Sequence, residues 1–372
     1  MRILVVLPEP PKPFGGAATR WYYVLVGGLM ARGHDVRVFA VDEAGGGGGY
    51  PTARRRGVVD KLRSWRYPFA YRYDSPMKRD IRAAMAGGYD VLHLEQTWSA
   101  YAAPIDAPRT LLHVHHLWSI DAPGKPGESM RDRLIRRSAI RVERAILRRM
   151  PRITALSARL AAEVGRINPS AAVDVVPLAI DLSLYPFEAG SPSPRPPTVA
   201  LIGSFDWAPT LSAARRLVLQ LWPAIVARVP GARLRLVGRR ADAALADLPT
   251  SANISIHADV PAILPEFRRA DVLLYAPGPA SGMKVKVLEA FALGTPVVTN
   301  ADGVEGIAAV DGLHAGIAED DGGLVDRAVS LLGDAGLRDT RRIAARRLVE
   351  STCDPGAALE RLEAVYRSIL GG

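Results

Sequence analysis

Between Ser281 and Asn300 the chain reads SGMKVKVLEAFALGTPVVTN, an apolar run interrupted by Lys284, Lys286 and Glu289. The loop PGPASG (277–282) leads into it. A helix beginning near Lys284 would present unpaired backbone N–H groups and the positive end of its dipole to that loop. Such a terminus favours phosphate, and two ammonium groups would reinforce it. Lys286 and Glu289 are three residues apart and share one helix face. Val285, Leu288 and Ala292 share another, which can lie on a sheet. A carboxylate accepts two hydroxyl hydrogen bonds well, as from a ribose. These residue types fit a nucleoside diphosphate, with its phosphates over Gly282, Lys284 and Lys286 and a hydroxyl-bearing group on Glu289. They also fit a solvated Lys–Glu pair, which would contribute little.

A second set of polar groups falls at two apolar run ends, DVLHLE and LLHVHH. His113 reads as a core residue on its strand. His115, past the strand end, is the candidate to line a reaction centre. Glu95, also past a strand end, and the nearby Trp98 are the candidates to touch an acceptor. No metal site is expected among His93, His113, His115 and His116. Residues alternating along a strand point to opposite faces or sit at one end, and no Cys or acidic partner shows metal spacing. No Asp-x-Asp occurs in the chain. Basic residues and helix dipoles would then neutralise an anionic leaving group.

The elements that must hold these groups alternate strand and helix. RILVVL (2–7), a helix from Ala17, and DVRVFAV (35–41) open the chain as β–α–β, which predicts a parallel sheet. Further strands are expected at 90–94, 110–114, 153–156 and 173–176, with a basic helix between Glu128 and Arg149. AGSPSPRPP (189–197) reads as a linker. The pattern then restarts with strands at 198–204, 232–238, 253–258, 271–277 and 296–300. Helices are expected at 211–229, 263–269, 285–293, 326–332, 337–350 and 357–370. The reading is two doubly wound Rossmann-like α/β domains facing across a cleft, 1–188 and 198–352, with 353–372 crossing back to the first. In such sheets ligands bind outside the carboxyl ends of the strands.

A chain of 372 residues suits two such domains. No targeting signal and no apolar run of roughly 20 residues stands out. The single cysteine, Cys353, suits a reducing cytoplasm and a small core position. The net charge of +10 lies in the first half, which to residue 190 holds 28 Lys and Arg against 18 Asp and Glu. An anionic partner is implied: anionic lipid, a polyprenyl-phosphate acceptor or nucleic acid, unless the arginines are merely solvated. The stretch 54–79 mixes nine Lys and Arg with five aromatics, which suits a membrane interface or glycolipid, and also single-stranded nucleic acid, unless it is simply an exposed helix and loop.

Taken together, the motifs resemble a GT-B glycosyltransferase of the large retaining type called family 4, or glycosyl transferases group 1. The resemblance rests on GMKVKVLEAFALGTPVVTNADGVEGI (282–307), LIGSFDWAPTLSAARRLVLQLWPAI (201–225), LRLVGR (234–239), VPLAIDLSLYPF (176–187) and GGAATR (15–20), and spans nearly the whole chain. It implies that Glu289 holds the donor ribose, that Lys286 and Lys284 meet the diphosphate, and that the Gly16 backbone approaches a donor phosphate. It implies that Val260 reads the base through its backbone and that His115 faces the transferred sugar. Gly203, Ser281, Gly282, Met283 and Val287 complete the implied donor site, with His115, Lys286 and Glu289 as its catalytic members. Two positions depart from the family pattern. Ser281 stands where many members carry a glutamate, and Ser204 where many carry an arginine. The implied activity is metal-independent transfer with retention from a nucleoside-diphosphate sugar, with no cofactor. The expected acceptor is a glycolipid or small glycoside, with peripheral membrane contact through the basic first half. Nucleic acid is not the expected partner. A nucleotide-sugar 2-epimerase of the same fold, which would need several carboxylates over the sugar, and a non-catalytic sugar-nucleotide-binding partner are the alternatives.

Overall fold

The computed structural model describes residues 1–42, 49–51, 66–73, 75–122, 124, 128–188, 196–249 and 251–371. The expected linker at 189–197 lies largely outside these residues, and the basic aromatic stretch lies outside them at 54–65 and 74. The chain divides into two compact units, Met1–Ile180 with Pro355–Gly372, and Asp181–Asp354.

The first unit holds a parallel sheet of β1 (Arg2–Leu7), β2 (Asp35–Ala40), β3 (Val91–Glu95), β4 (Thr110–Val114), β5 (Arg152–Ala155) and β6 (Ala172–Val175). The order is β2-β1-β3-β4-β5-β6. The inner strands β3 and β4 are buried at every residue, whereas edge β6 is largely exposed. Burial on both faces is why the inner strands read as continuous apolar runs. Succession reverses between β1 and β3, so the loops after these two strands flank a switch point.

The second unit repeats the plan with β7 (Thr198–Ile202), β8 (Arg233–Gly238), β9 (Ile254–Ala258), β10 (Val272–Tyr275), β11 (Val297–Thr299) and β12 (Gly316–Ile317). Its order, β12-β11-β10-β7-β8-β9, puts the switch point between β7 and β10. The two-residue β12 has no counterpart in the sequence reading, being too short to show a pattern.

Two expectations need correction. The units divide at Ile180/Asp181, ahead of the expected boundary at 188, because the intervening residues pack on the second unit. Arg346 donates to the Tyr185 carbonyl at 2.8 Å, Arg342 to the Glu188 carbonyl at 2.6 Å, and Phe187 lies under Gly294. The helix expected at 211–229 runs from Ala208 to Arg228 but widens into a π turn at Leu217–Leu221. Pro223 is the physical reason, since proline has no N–H to give and clashes with the carbonyl four residues back. The C-terminal helix, expected from the sequence to cross back to the first domain, begins at Pro355 and belongs to the first unit.

Candidate functional site

In the second unit, the helix Val285–Leu293 follows the loop after β10. It is buried nearly all round, Glu289 included, and only Lys286 is half-exposed. The reading of Lys286 and Glu289 as a solvated pair therefore falls, because a carboxylate 3% exposed is not a solvated surface group. Lys286 Nζ donates to Thr210 Oγ1 at 2.5 Å and sits 4.1 Å above the centre of the Tyr275 ring, a cation–π contact. Burial, then the neighbouring Lys284, push its pKa down to about 7 against the pull of Glu289. Gly203, at the end of β7, lies directly opposite: a Cβ there would stand 2.6 Å from Lys286 Nζ. The absence of a side chain at 203 is what gives the ammonium its place.

Lys284 behaves differently from its neighbour. It is buried, and its ammonium donates to the carbonyls of Ser281, at 3.0 Å, and Gly282. It thus closes the loop that carries the helix terminus. Gly282 has φ of 72°, a left-handed conformation that favours glycine. Ser281 and Met283 are buried beside it, and Val287 is wholly buried, so its side chain is core and its amide bonds the Lys284 carbonyl at 2.8 Å. Gly294 caps the helix in the left-handed conformation, as its position in the sequence suggests. Val260 is half-buried just past β9, after Asp259, whose φ is 49°. Sequence reasoning missed Arg239. Its Nε donates to Ser204 Oγ at 3.2 Å, which brings a guanidinium to the position where the family pattern has an arginine and this chain has serine. The signal was in LVGRR, one strand away.

In the first unit, Gly16 caps the helix Ala17–Ala31 without a side-chain bond. Its backbone, φ −65° and ψ 158°, suits any residue, and the nearest atom to a Cβ there would be 3.8 Å away. Nothing among the described residues requires glycine at 16, so its bareness suits close approach by a group from outside. His115 lies just past β4 with its Nε2 2.5 Å from Glu95 Oε2.

Glu95 and Trp98 are placed otherwise than expected. Glu95 has no exposure, and its oxygens are taken by Trp21, His93, His113 and His115, so it does not reach an acceptor. Trp98 is buried among Phe69, Tyr101 and Trp118, with ring centres 4.9 to 6.4 Å away. The alternation argument also needs correction. Residues 93 and 95, and 113 and 115, are two apart and share a face, and β3–β4 register sets Glu95 opposite His113. The four side chains converge instead of dividing between faces.

Comparison with known proteins places this architecture. The sequence profile of Glycosyltransferase Family 4 matches residues 14–184, and that of Glycosyl transferases group 1 matches 196–334. No curated protein matches the chain in sequence. Among solved structures, a sucrose-phosphate synthase from Thermosynechococcus elongatus superposes with a TM-score of 0.74 at 16% identity, covering 100% of both chains. HepE from Anabaena, in complex with UDP-glucose, gives 0.68 at 13% identity over 99% of this chain and 100% of that one. WaaG, a glycosyltransferase involved in lipopolysaccharide biosynthesis, gives 0.66 at 15% identity over 99% and 100%. At these identities the likeness carries the GT-B fold.

Proposed function

We propose, for a chain that belongs to the family 4, group 1 glycosyltransferases, that it moves a sugar from a nucleoside-diphosphate donor to an acceptor hydroxyl, with retention and without a metal ion. The observation that carries this reading is the half-exposed, desolvated Lys286, one helical turn before the buried Glu289 and facing the bare Gly203. An ammonium whose pKa has fallen to about 7 gains most from an anion beside it. A diphosphate at the helix terminus supplies that anion, and a ribose supplies hydroxyls to Glu289. UDP and UDP-glucose are bound by HepE, which has the same fold.

In this reading the bond from the anomeric carbon to the diphosphate oxygen breaks, and the acceptor oxygen bonds to that carbon on the same face. The acceptor proton passes to the leaving phosphate. Lys286, the helix terminus and Arg239 offset the charge that develops there. The lack of any Asp-x-Asp in the chain supports a metal-free site. The acceptor is proposed to be a glycolipid or small glycoside.

The test is a panel of UDP-, GDP- and ADP-sugars, assayed for slow donor hydrolysis and by calorimetry, with and without EDTA. Hydrolysis of one donor to sugar and nucleoside diphosphate, with the α-anomer released first, supports retaining transfer. Recovery of an epimerised nucleotide sugar would identify an isomerase, and binding without turnover a non-catalytic partner.

A further inference from the structure

Four ring nitrogens converge on the Glu95 carboxylate at the end of β3. Trp21 Nε1, 3.0 Å from Oε1, can only donate. His93 Nε2 at 2.8 Å and His113 Nδ1 at 3.2 Å share that oxygen, and His115 Nε2 takes Oε2. Burial is the largest influence on this carboxyl and would raise it, but the histidines outweigh burial and hold it well below the carboxylate range. Burial in turn lowers His93 and His115, which favours the neutral form of each ring.

An ionised carboxylate only accepts, so each imidazole must turn an N–H toward it. Three tautomers follow: Nε2–H at His93, Nδ1–H at His113 and Nε2–H at His115. Tyr366, from the C-terminal helix, completes the set by donating its hydroxyl to the bare Nδ1 of His93 at 2.6 Å.

A metal ion is the other way to satisfy His93, Glu95 and His113, whose ligand atoms lie within 4.8 Å of one another. His113 argues against it. Bound through Nδ1, it would carry its proton on Nε2, and a metal-ligating histidine passes that proton to a partner. His113 Nε2 is buried with no hydrogen-bond partner among the described residues. A bare nitrogen is tolerable there, whereas an orphaned N–H is not.

The chain is bent to build this cluster. Gln96, directly after Glu95, has φ of 62° and ψ of 153°, a region essentially reserved for glycine. Its amide bonds the His113 carbonyl at 2.8 Å, its side chain bonds the Tyr22 hydroxyl at 3.0 Å, and Ser99 Oγ donates to the Glu95 carbonyl. Such strain persists only where the surroundings over-determine it.

We infer that Glu95 is a positioning residue that locks His115 in the Nε2–H tautomer, so that His115 meets the transferred sugar with Nδ1 as a hydrogen-bond acceptor. The sugar-facing role rests on the glycosyltransferase reading above; the tautomer lock stands on the geometry alone. His115 is suited to it, being the one of these three imidazoles with any exposure, 7% against 0% for His93 and His113. An acceptor nitrogen holds a sugar hydroxyl and does not hold a carbonyl or carboxylate at the same place.

Two-bond proton–nitrogen spectra of the full chain labelled in histidine read the tautomers directly. The wild type should show His115 as Nε2–H, and Glu95→Gln should lose that form with the unfolding midpoint still cooperative. A wild-type His115 in the Nδ1–H form overturns the lock whether or not any variant folds. In donor hydrolysis, Glu95→Gln should lower kcat by roughly tenfold or more and leave the donor KM within about threefold, as loss of an orienting carboxylate does. An unchanged kcat in a folded variant with altered tautomer overturns the positioning role. Absence of turnover by the wild type with every donor would instead count against the glycosyltransferase reading, and the spectra would still decide the lock.

Discussion

Lys286 and Glu289 owe their positions to three-residue spacing on one short helix, which is why the sequence alone could pair them. Lys286→Ala and Glu289→Ala should each lower turnover by more than about tenfold with the fold intact, measured as donor hydrolysis alongside circular dichroism. Near wild-type rates would remove both from the site. The pH dependence follows from the depressed lysine. Its pKa of about 7 means the free protein carries this charge below neutrality and loses it above. A bound diphosphate favours the charged form, so binding above pH 7 takes up a proton and donor affinity falls as pH rises. Calorimetry in buffers of different ionisation enthalpy should show that uptake, and Lys286→Arg, charged throughout, should flatten the profile. Glu95 was harder to read. Its partners come from a helix near the N-terminus, its own strand and the neighbouring one, and Tyr366 of the C-terminal helix stands behind His93. Only the β3–β4 register brings two histidines of one strand to the carboxylate of the next. Lys284 was misread for a local reason: a flexible side chain beside a tight loop can turn back onto that loop's carbonyls, and spacing does not reveal which way it turns.

The sequence shows an amphipathic stripe on the C-terminal helix, Leu359, Leu362, Val365, Tyr366 and Ile369, of which the first four are buried and Ile369 is half-buried. What it packs against was not, because the complementary feature is an absence. Gly28, in the helix Ala17–Ala31, makes room for Leu359, whose Cδ1 would lie 2.2 Å from a Cβ placed there. Gly28→Val should cost about 1–3 kcal/mol through overpacking, read as a lower midpoint in denaturant with an unchanged slope. A neutral effect would mean that this helix does not seat on Gly28. Electrostatics act at the same contact. Arg32 Nε donates to Glu363 at 2.9 Å, and His34 Nε2 lies 2.8 Å from the same carboxylate. The Arg32 hydrogen bond, then His34, hold the Glu363 pKa down at about 2. A carboxyl lowered on folding contributes its stability above its unfolded value and loses it as pH falls through the folded one. The difference in stability between wild type and Glu363→Gln should therefore be full at neutral pH and shrink between about 4.5 and 2. A difference that stays constant across acid titration would show that the ion pair adds nothing.

For the molecule as a whole, the chain length indicated two domains, and the repeated strand–helix pattern indicated their α/β sheets. The net charge of +10 and its confinement to the first half pointed to an anionic partner without locating it. The helix Met130–Leu147 gives that charge a surface. Val142, Ile146 and Leu147 bury one side, while Met130, Leu134, Arg137, Arg141, Arg144 and Arg148 line up exposed on the other. Among the described residues, Arg137, Arg144 and Arg148 make no ion pair. Two exposed apolar side chains followed by a row of arginines suit an interface where chains and anionic headgroups meet, whereas a merely solvated face needs no such apolar end. No helix among the described residues is long and apolar enough to cross a membrane, so the contact would be peripheral. Each arginine near an anionic surface contributes about 1 kcal/mol, and salt removes it within a Debye length of about 10 Å. Phosphatidylserine vesicles should therefore retain the protein in sedimentation at low salt and release it at high salt, and phosphatidylcholine vesicles should not retain it. Arg137→Gln, Arg144→Gln and Arg148→Gln together should abolish retention while donor hydrolysis continues at the wild-type rate, since none of the three belongs to the proposed catalytic or donor-binding machinery. Equal retention by neutral vesicles would assign the contact to the apolar end alone. No retention by either would leave the arginines as a solvated face and favour a small, soluble acceptor over a glycolipid.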